Sequence, residues 1–297
     1  MLKHPAMLSI LIVNWNTRDL LRACLGSIRA HPSKEPMQTI VVDNASTDGS
    51  AEMVAAEFPD VVLVSSDLNT GYAHGNNLAF RQATGDWFLT LNPDTELLDD
   101  SLDRAIQFMK DHPRCGWLGV RQVEPNGRTQ KSVRGFPSFR GIVGDILKIG
   151  GRFPGSAWDS YRLTAFDYDG VQRAPQPMGT FLMLRRKALQ EIGDLEAPFD
   201  EGFPIFFNEV DLLYRLHCRG WEGWYIPYAK VLHHGGESTK QVRKSMIWES
   251  HRSLVRYLWK HHGTGWARLG LPIVSAVIFV SAFVRAKGYD AGFRPRS

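Results

Sequence analysis

Thr39-Ile40-Val41-Val42-Asp43-Asn44-Ala45-Ser46-Thr47-Asp48-Gly49-Ser50 changes character at a single residue. Thr39 to Val42 are all β-branched, and so short a run reads as a buried strand. After Asp43 come Asn, Ser, Thr, Asp and Gly, the residues of turns and helix caps, and the spacing predicts a helix through about Glu57. A buried strand that ends in a carboxylate and turns into a helix is the repeating unit of a parallel sheet covered by helices. Ligands of such sheets gather at the carboxyl ends of the strands.

The unit recurs on both sides of this segment. Leu8–Val13 reads as a strand. It is followed by a helix over 17–30 with Leu20, Leu21, Leu25 and Ile28 on one face and Thr17 as its cap. Val61–Val64 and Trp87–Leu91 are further strands, with helices expected across Gly75–Ala83 and Leu98–Lys110. Residues 124–177, rich in Gly, Pro and Arg, read as long loops with short elements. Phe181–Leu184 is a strand, Glu209–Leu216 a helix, and Tyr225-Ile226 leads into a short strand that stops before His233 and His234. The expected fold class is α/β: a mostly parallel central sheet flanked by helices, a mixed second half and a helical C-terminal tail. Residues 1–120 form the first part, 121–238 the second part of the same domain, and 239–297 the tail.

The 297 residues are 43% hydrophobic and 22% charged, which excludes a disordered, collagenous or coiled-coil chain. The charge is unevenly spread: residues 212–297 carry 14 Lys/Arg against 4 Asp/Glu. A basic C-terminal third suits a polyanion or an anionic membrane surface. No zinc-finger spacing or RNA-binding aromatic signature accompanies it, so nucleic acid is not an expected partner. Cys24, Cys115 and Cys218 lie far apart, as in a reducing compartment. Leu8–Val13 is too short for a signal peptide. The expected location is cytoplasmic. Leu269–Val284 holds 16 residues without a charge, short of the about 20 of a spanning helix; a docked helix and a membrane-associated segment both fit it.

Polar stations follow the apolar runs. Asp43 can accept the imide N–H of a uracil or thymine base. A dinucleotide site is not expected, because Asn14-Trp15-Asn16-Thr17 stands where G-x-G-x-x-G would lie. Asn69-Thr70-Gly71-Tyr72-Ala73-His74-Gly75-Asn76-Asn77 offers amides and two glycines that permit close backbone approach to a ligand. Asp94, in Leu91-Asn92-Pro93-Asp94, can hold a hard divalent ion against a diphosphate. In Asn208-Glu209-Val210-Asp211, residues 208 and 211 share a helix face while Glu209 points elsewhere. A carboxylate there can act as general base on a hydroxyl. His233 and His234, adjacent on a strand, face opposite ways, so one of them reaches the site. Lys131, Arg134 and Arg140 are basic candidates for closing over a diphosphate.

These stations, in this order over residues 8–238, resemble the inverting family 2 glycosyltransferases, in particular the rhamnosyltransferase-like branch. The matching segments are Ile12 to Asn16, Val41 to Ser50, Asn69 to Asn77, Leu91 to Asp94, Gly179 to Arg185, Phe206 to Leu212 and His233 to Ser238. The resemblance implies a GT-A-like fold. It further implies a nucleotide-diphosphate sugar donor, held by Asn14, Asn16, Asp43, Asn69, Gly71, Asn76 and Asn92, and a Mg2+ or Mn2+ cofactor on Asp94 and His233. Asp94 falls on the last acid of the family's Asp-x-Asp triplet, whose first position is here Asn92. Glu209 falls on the base position, with Asp211 orienting the site or the acceptor. The acceptor so implied is a glycan or a lipid-linked glycan, met from the cytoplasmic face of a membrane. Two other readings stand beside it: a noncatalytic nucleotide-sugar-binding scaffold, suggested by Asn at 92 and 208, and a sugar-phosphate nucleotidyltransferase, which needs a Gly-rich phosphate loop after the first strand.

Overall fold

The structure, a computed structural model, describes residues 7–235, 243–265 and 267–295. Gly236 to Ser238 of the His233 segment and Lys240 to Val242 of the expected tail helix lie outside these residues. The chain runs β1 (Leu8–Asn14), α1 (Arg18–Ala30), β2 (Met37–Asn44), α2 (Ser50–Glu57), β3 (Val62–Ser66), α3 (Tyr72–Gln82) and β4 (Trp87–Leu91). It continues through β5 (Thr95–Leu98), α4 (Ser101–Asp111), β6 (Cys115–Val123), β7 (Val133–Arg134), α5 (Phe139–Ile146), β8 (Gln172–Arg173), β9 (Gln176–Pro177), β10 (Phe181–Arg185) and α6 (Arg186–Gln190). It ends with α7 (Asn208–Cys218), β11 (Glu222–His233) and two tail helices, α8 (Arg243–His262) and α9 (Ala267–Ala286).

The main sheet runs β3-β2-β1-β4-β10-β6-β11-β5, with β8 pairing β11. The β3-β2-β1-β4 half is parallel. β10 is antiparallel to both neighbours, and β5 and β8 are antiparallel to β11. Alternation along each strand sorts the core into two layers. Ile10, Ile12, Leu89, Leu91 and Met183 pack with α1 and α4 on one face. Leu11, Val13, Phe88, Leu182 and Leu184 pack with residues of α3, α6 and α7 on the other. This is the helix-sheet-helix sandwich that a doubly covered sheet requires.

Four departures from the sequence reading have local causes. The expected helix over Leu98–Lys110 begins only at Ser101, because Thr95–Leu98 pairs with β11 as a strand and Asp99 turns the chain with φ of 51°. β6 carries no clean strand pattern because glycines interrupt it. Gly119 is there because any Cβ would stand 2.4 Å from that of Pro177. The strand through Tyr225-Ile226 is not short: it runs 12 residues to His233, and its register against β6 slips between Ile226 and Lys230, where Pro227 cannot donate to the ladder. Thr17 makes no side-chain cap to α1; its hydroxyl donates to Asn14 Oδ1 at 2.6 Å.

The tail helices form a third cluster, in which Tyr257, Leu258, Leu271, Val274 and Ile278 pack on Ile142, Phe203 and Val210. Leu269–Val284 falls within α9, which is long and apolar enough to cross a membrane by length and composition. One face is buried by Leu271, Val274, Ile278 and Ala282, while Leu269, Ile273, Val280, Phe283 and Val284 remain exposed.

Candidate active site

The register of the parallel strands brings three loops together. Asn14 lies beside Asp43, and Asn44 beside Ser66, at the strands' carboxyl ends. Asn14 Nδ2 donates to Asp43 Oδ1 at 3.0 Å and to Ser46 Oγ at 3.1 Å. The other Asp43 oxygen accepts the Ser46 N–H at 3.0 Å, and the whole residue is 4% exposed. Asn16 Oδ1 takes the Thr47 N–H at 2.8 Å, and Asn44 Nδ2 donates to Asn69 Oδ1 at 2.9 Å. These amides therefore stitch the β1, β2 and β3 loops to one another. Such buried polar networks fix geometry when their members are satisfied.

Of the residues assigned to the donor by resemblance, Asn14, Asn69 and Asn92 line one cavity at these strand ends. Asn16, Asp43, Gly71 and Asn76 are not among its lining residues. Asn76 is buried in α3 and bonds back to the Tyr72 carbonyl at 2.9 Å. Gly71 has φ of 100°, and a Cβ there would stand 2.7 Å from the Pro204 carbonyl oxygen. The close approach that calls for glycine is thus to Pro204 rather than to a ligand. Gly75 lies against Val13 in the same way. His74 pairs with Glu201 at 3.0 Å.

Antiparallel pairing of β5 with β11 sets His233 opposite Thr95, next to Asp94. Both side chains are buried, and His233 Nε2 lies 3.5 Å from Asp94 Oδ1. His233 Nδ1 is held by Gln130 Oε1 at 2.8 Å, which orients the ring. His234 points away and meets Glu96 at 2.7 Å. Asn92 accepts the Tyr72 hydroxyl at 3.2 Å. Among the described residues no group of three His, Cys, Asp or Glu gathers in metal-binding range. A carboxylate and an imidazole fit a divalent ion that takes the rest of its shell from phosphate oxygens and water.

Glu209 and Asp211 occupy the first turn of α7 and diverge. Phe207, with φ of 65°, breaks the chain ahead of the helix. Glu209 lines the cavity. Burial pushes its carboxyl up to about 7, against the opposing pull of the Glu209 and Val210 backbone N–H groups. Asp211 is fully buried and is not on the cavity wall. It meets Lys260 Nζ at 2.6 Å, His261 Nε2 at 2.7 Å and Arg215 Nε at 2.8 Å. Burial alone would raise its pKa, but the His261 hydrogen bond and the Arg215 and Lys260 charges hold it at about 2. Asp211, expected to orient the site or the acceptor, tethers α7 to α8: helix periodicity turns residue 211 about 200° from residue 209, onto the face covered by α8.

The cavity holds about 540 Å³. Asp94, His233 and Glu209 share its wall with Arg134, whose guanidinium carbon sits 5.6 Å from the Tyr161 ring centroid. Lys131 and Arg140 are exposed and stand outside the lining. Sequence reasoning missed Tyr161, Gln176, Met178, Met246 and Phe293 as lining residues. The Gly179-Thr180 junction before β10 was a local signal for its neighbour Met178; the other four arrive by long-range folding that no local pattern announces.

A parallel sheet whose loops converge on buried carboxylates is joined here to a mixed half that brings a further acid and a histidine. Residues 9–193 match Glycosyl transferase family 2, and the chain belongs to that family. It is 29% identical over 281 residues to the N-acetylglucosaminyl-diphospho-decaprenol L-rhamnosyltransferase of Mycobacterium tuberculosis, covering 89% of this chain and 88% of the relative. It is 23% identical to the rhamnosyltransferase WbbL of Escherichia coli K12, over 85% of this chain and 92% of the relative. The mannosyltransferase PcManGT from Pyrobaculum calidifontis, solved in complex with GDP-Man and Mn2+, superposes with a TM-score of 0.58 at 18% identity, over 98% of this chain and 77% of that one.

Proposed function

We propose that this chain is an inverting rhamnosyltransferase. It moves L-rhamnose from a dTDP- or UDP-linked donor to a hydroxyl of a lipid-linked glycan during synthesis of a cell-surface polysaccharide. The observation that carries the reading is the shared cavity: Glu209, a carboxylate with its pKa raised to about 7, lines the same space as Asp94 and His233. Two of the relatives are rhamnosyltransferases, and the name of one specifies a decaprenol-linked substrate.

In this mechanism Glu209 takes the proton of the acceptor hydroxyl. The acceptor oxygen forms its bond to the anomeric carbon as the bond to the nucleoside diphosphate breaks, and the configuration inverts. A base with a pKa near the operating pH serves both halves of that task. Asp94 and His233 would hold a Mg2+ or Mn2+ ion, which when bound supplies positive charge against the departing diphosphate. Arg134 adds charge to the same wall, where preorganised dipoles and charges lower the barrier. Asp43 and its amide network hold the loops against which the base and ribose of the donor rest. The exposed apolar face of α9 and the basic tail support contact with an anionic membrane from the cytoplasmic side.

The test is turnover of a donor panel (dTDP-rhamnose, UDP-glucose, GDP-mannose) with a diphosphate-linked N-acetylglucosamine acceptor, followed by NMR of the product's anomeric centre. Transfer from dTDP-rhamnose with inverted configuration is expected. Retention of configuration, or binding of every nucleotide without transfer, would contradict the proposal.

A further inference from the structure

The chain does not stop at α9. Lys287 and Gly288 adopt φ of 52° and 125°, and the backbone doubles back along α8. Trp248 Nε1 donates to the Gly288 carbonyl at 2.9 Å, and the Tyr289 ring meets the Trp248 ring at 5.1 Å. Asp290 then caps the Gly292 N–H at 2.9 Å. Two α8 residues three apart grip this returning segment. The Arg252 guanidinium donates to the Ala291 carbonyl and to the Tyr289 hydroxyl. The buried Glu249 carboxylate accepts the Phe293 N–H at 3.1 Å and is itself steadied by Ser253 Oγ at 3.1 Å. The outcome is that Phe293, four residues from the end of the sequence, lines the active-site cavity together with Met246 of α8.

We infer that this C-terminal hook is the acceptor-side wall of the site and that Phe293, with Met246, receives the apolar carrier of the acceptor rather than its sugar. The inference rests on the glycosyl-transfer reading above and goes further, assigning a specificity role to the tail. Polarity supports it. The side chains that can bind hydroxyls or phosphates, such as Asn14, Asp94, Arg134, Gln176, Glu209 and His233, all lie outside the tail. The tail contributes a thioether and a phenyl ring, which offer contact area but no hydrogen bond. A glycan hydroxyl turned toward those two side chains would find no strong partner there. An alkyl or isoprenoid segment loses nothing there. The hook also begins directly after the helix that exposes Leu269, Ile273 and Phe283, so the exposed apolar helix face and Phe293 belong to one stretch of chain.

The test compares one glycosyl diphosphate acceptor bearing a long isoprenoid chain with the same glycan on a methyl aglycone. Phe293→Ala is expected to raise KM for the long-chain acceptor about fivefold or more, the size of losing about one buried methylene group. KM for the methyl acceptor, KM for the donor and donor hydrolysis without acceptor should change less than about twofold. Phe293→Leu should restore most of the loss. Glu249→Gln, which loosens the hook without touching the cavity, should act in the same direction if Phe293→Ala does not fold. Equal shifts for both acceptors, or no shift for either, would overturn the inference. Absence of transfer to either acceptor by the unaltered protein would instead refute the glycosyl-transfer reading beneath it.

Discussion

Replacing Asp211 by Asn keeps the shape of the side chain and removes a charge that two cationic side chains and His261 surround. The carboxylate has no exposed surface, while Arg215 and Lys260 are 25% and 33% exposed and His261 is 11% exposed. The protein holds Asp211 at about 2 against an ordinary 3.8, a difference that corresponds to about 2 kcal/mol of stability at neutral pH. The pKa is depressed in the folded state. This contribution is therefore complete above about pH 4 and is lost as pH falls through about 2. For a chain of this length, about 2 kcal/mol is about 3 °C in melting temperature. The assay is thermal unfolding at pH 7 and pH 3, with hydrogen exchange to locate the loss. D211N should melt lower at pH 7, lose part of that deficit at pH 3, and exchange faster in α8. Its kcat, per folded molecule, should stay within about threefold of the parent, because Asp211 does not line the cavity. Unchanged melting with a collapse of kcat would show that Asp211 belongs to the chemistry and that the tether is incidental.

The same contacts lead to further expected outcomes. If Glu209 is the base, kcat/KM for the acceptor should fall about tenfold per pH unit below about 7 and level off above it. Its raised pKa also means that ionisation works against folding, so stability should decline from about pH 4.5 to 7, and Glu209→Gln should melt higher than the parent at pH 8. Asp94→Ala should abolish the gain in nucleoside-diphosphate affinity that Mn2+ provides, by calorimetry with and without the ion, and an unchanged metal effect would remove Asp94 from the site. Gly71→Ala should cost about 1–3 kcal/mol in chemical unfolding, from positive φ and a Cβ driven onto the Pro204 carbonyl. In cell fractions, 1 M NaCl should release the protein from membranes if the basic tail lies on an anionic surface; retention until detergent is added would mean insertion, and recovery wholly in the soluble fraction would rule out membrane contact.

Much of the N-terminal half is legible in the sequence because its strands are short apolar runs with distinct ends. β1, β2 and β4 each pass from a buried run to polar loop residues within one or two positions, and parallel pairing brings those ends together. Asp94 and His233 were both readable as chemical groups; their 3.5 Å separation was not, because it depends on β5 and on a bulged β11 that Gly and Pro disguised. The division between Glu209 and Asp211 follows from helix geometry, but the partners of Asp211 depend on α8, some 50 residues later. Several amides read as ligand contacts also fasten loops, as Asn14 and Asn69 do, since Asn and Asp close turns with the same atoms that bind nucleotides. Phe293 carried no signal at all: its place is set by Glu249 and Arg252 gripping the backbone beside it.

The claim on which the rest depends is that Glu209 acts as the base of sugar transfer within an intact donor site. It is tested most directly by measuring donor binding and single-turnover transfer for Glu209→Gln beside the parent. Donor affinity within about threefold of the parent and a transfer rate reduced at least about a hundredfold are the expected pair of results. A transfer rate that survives with normal donor binding would contradict the assignment.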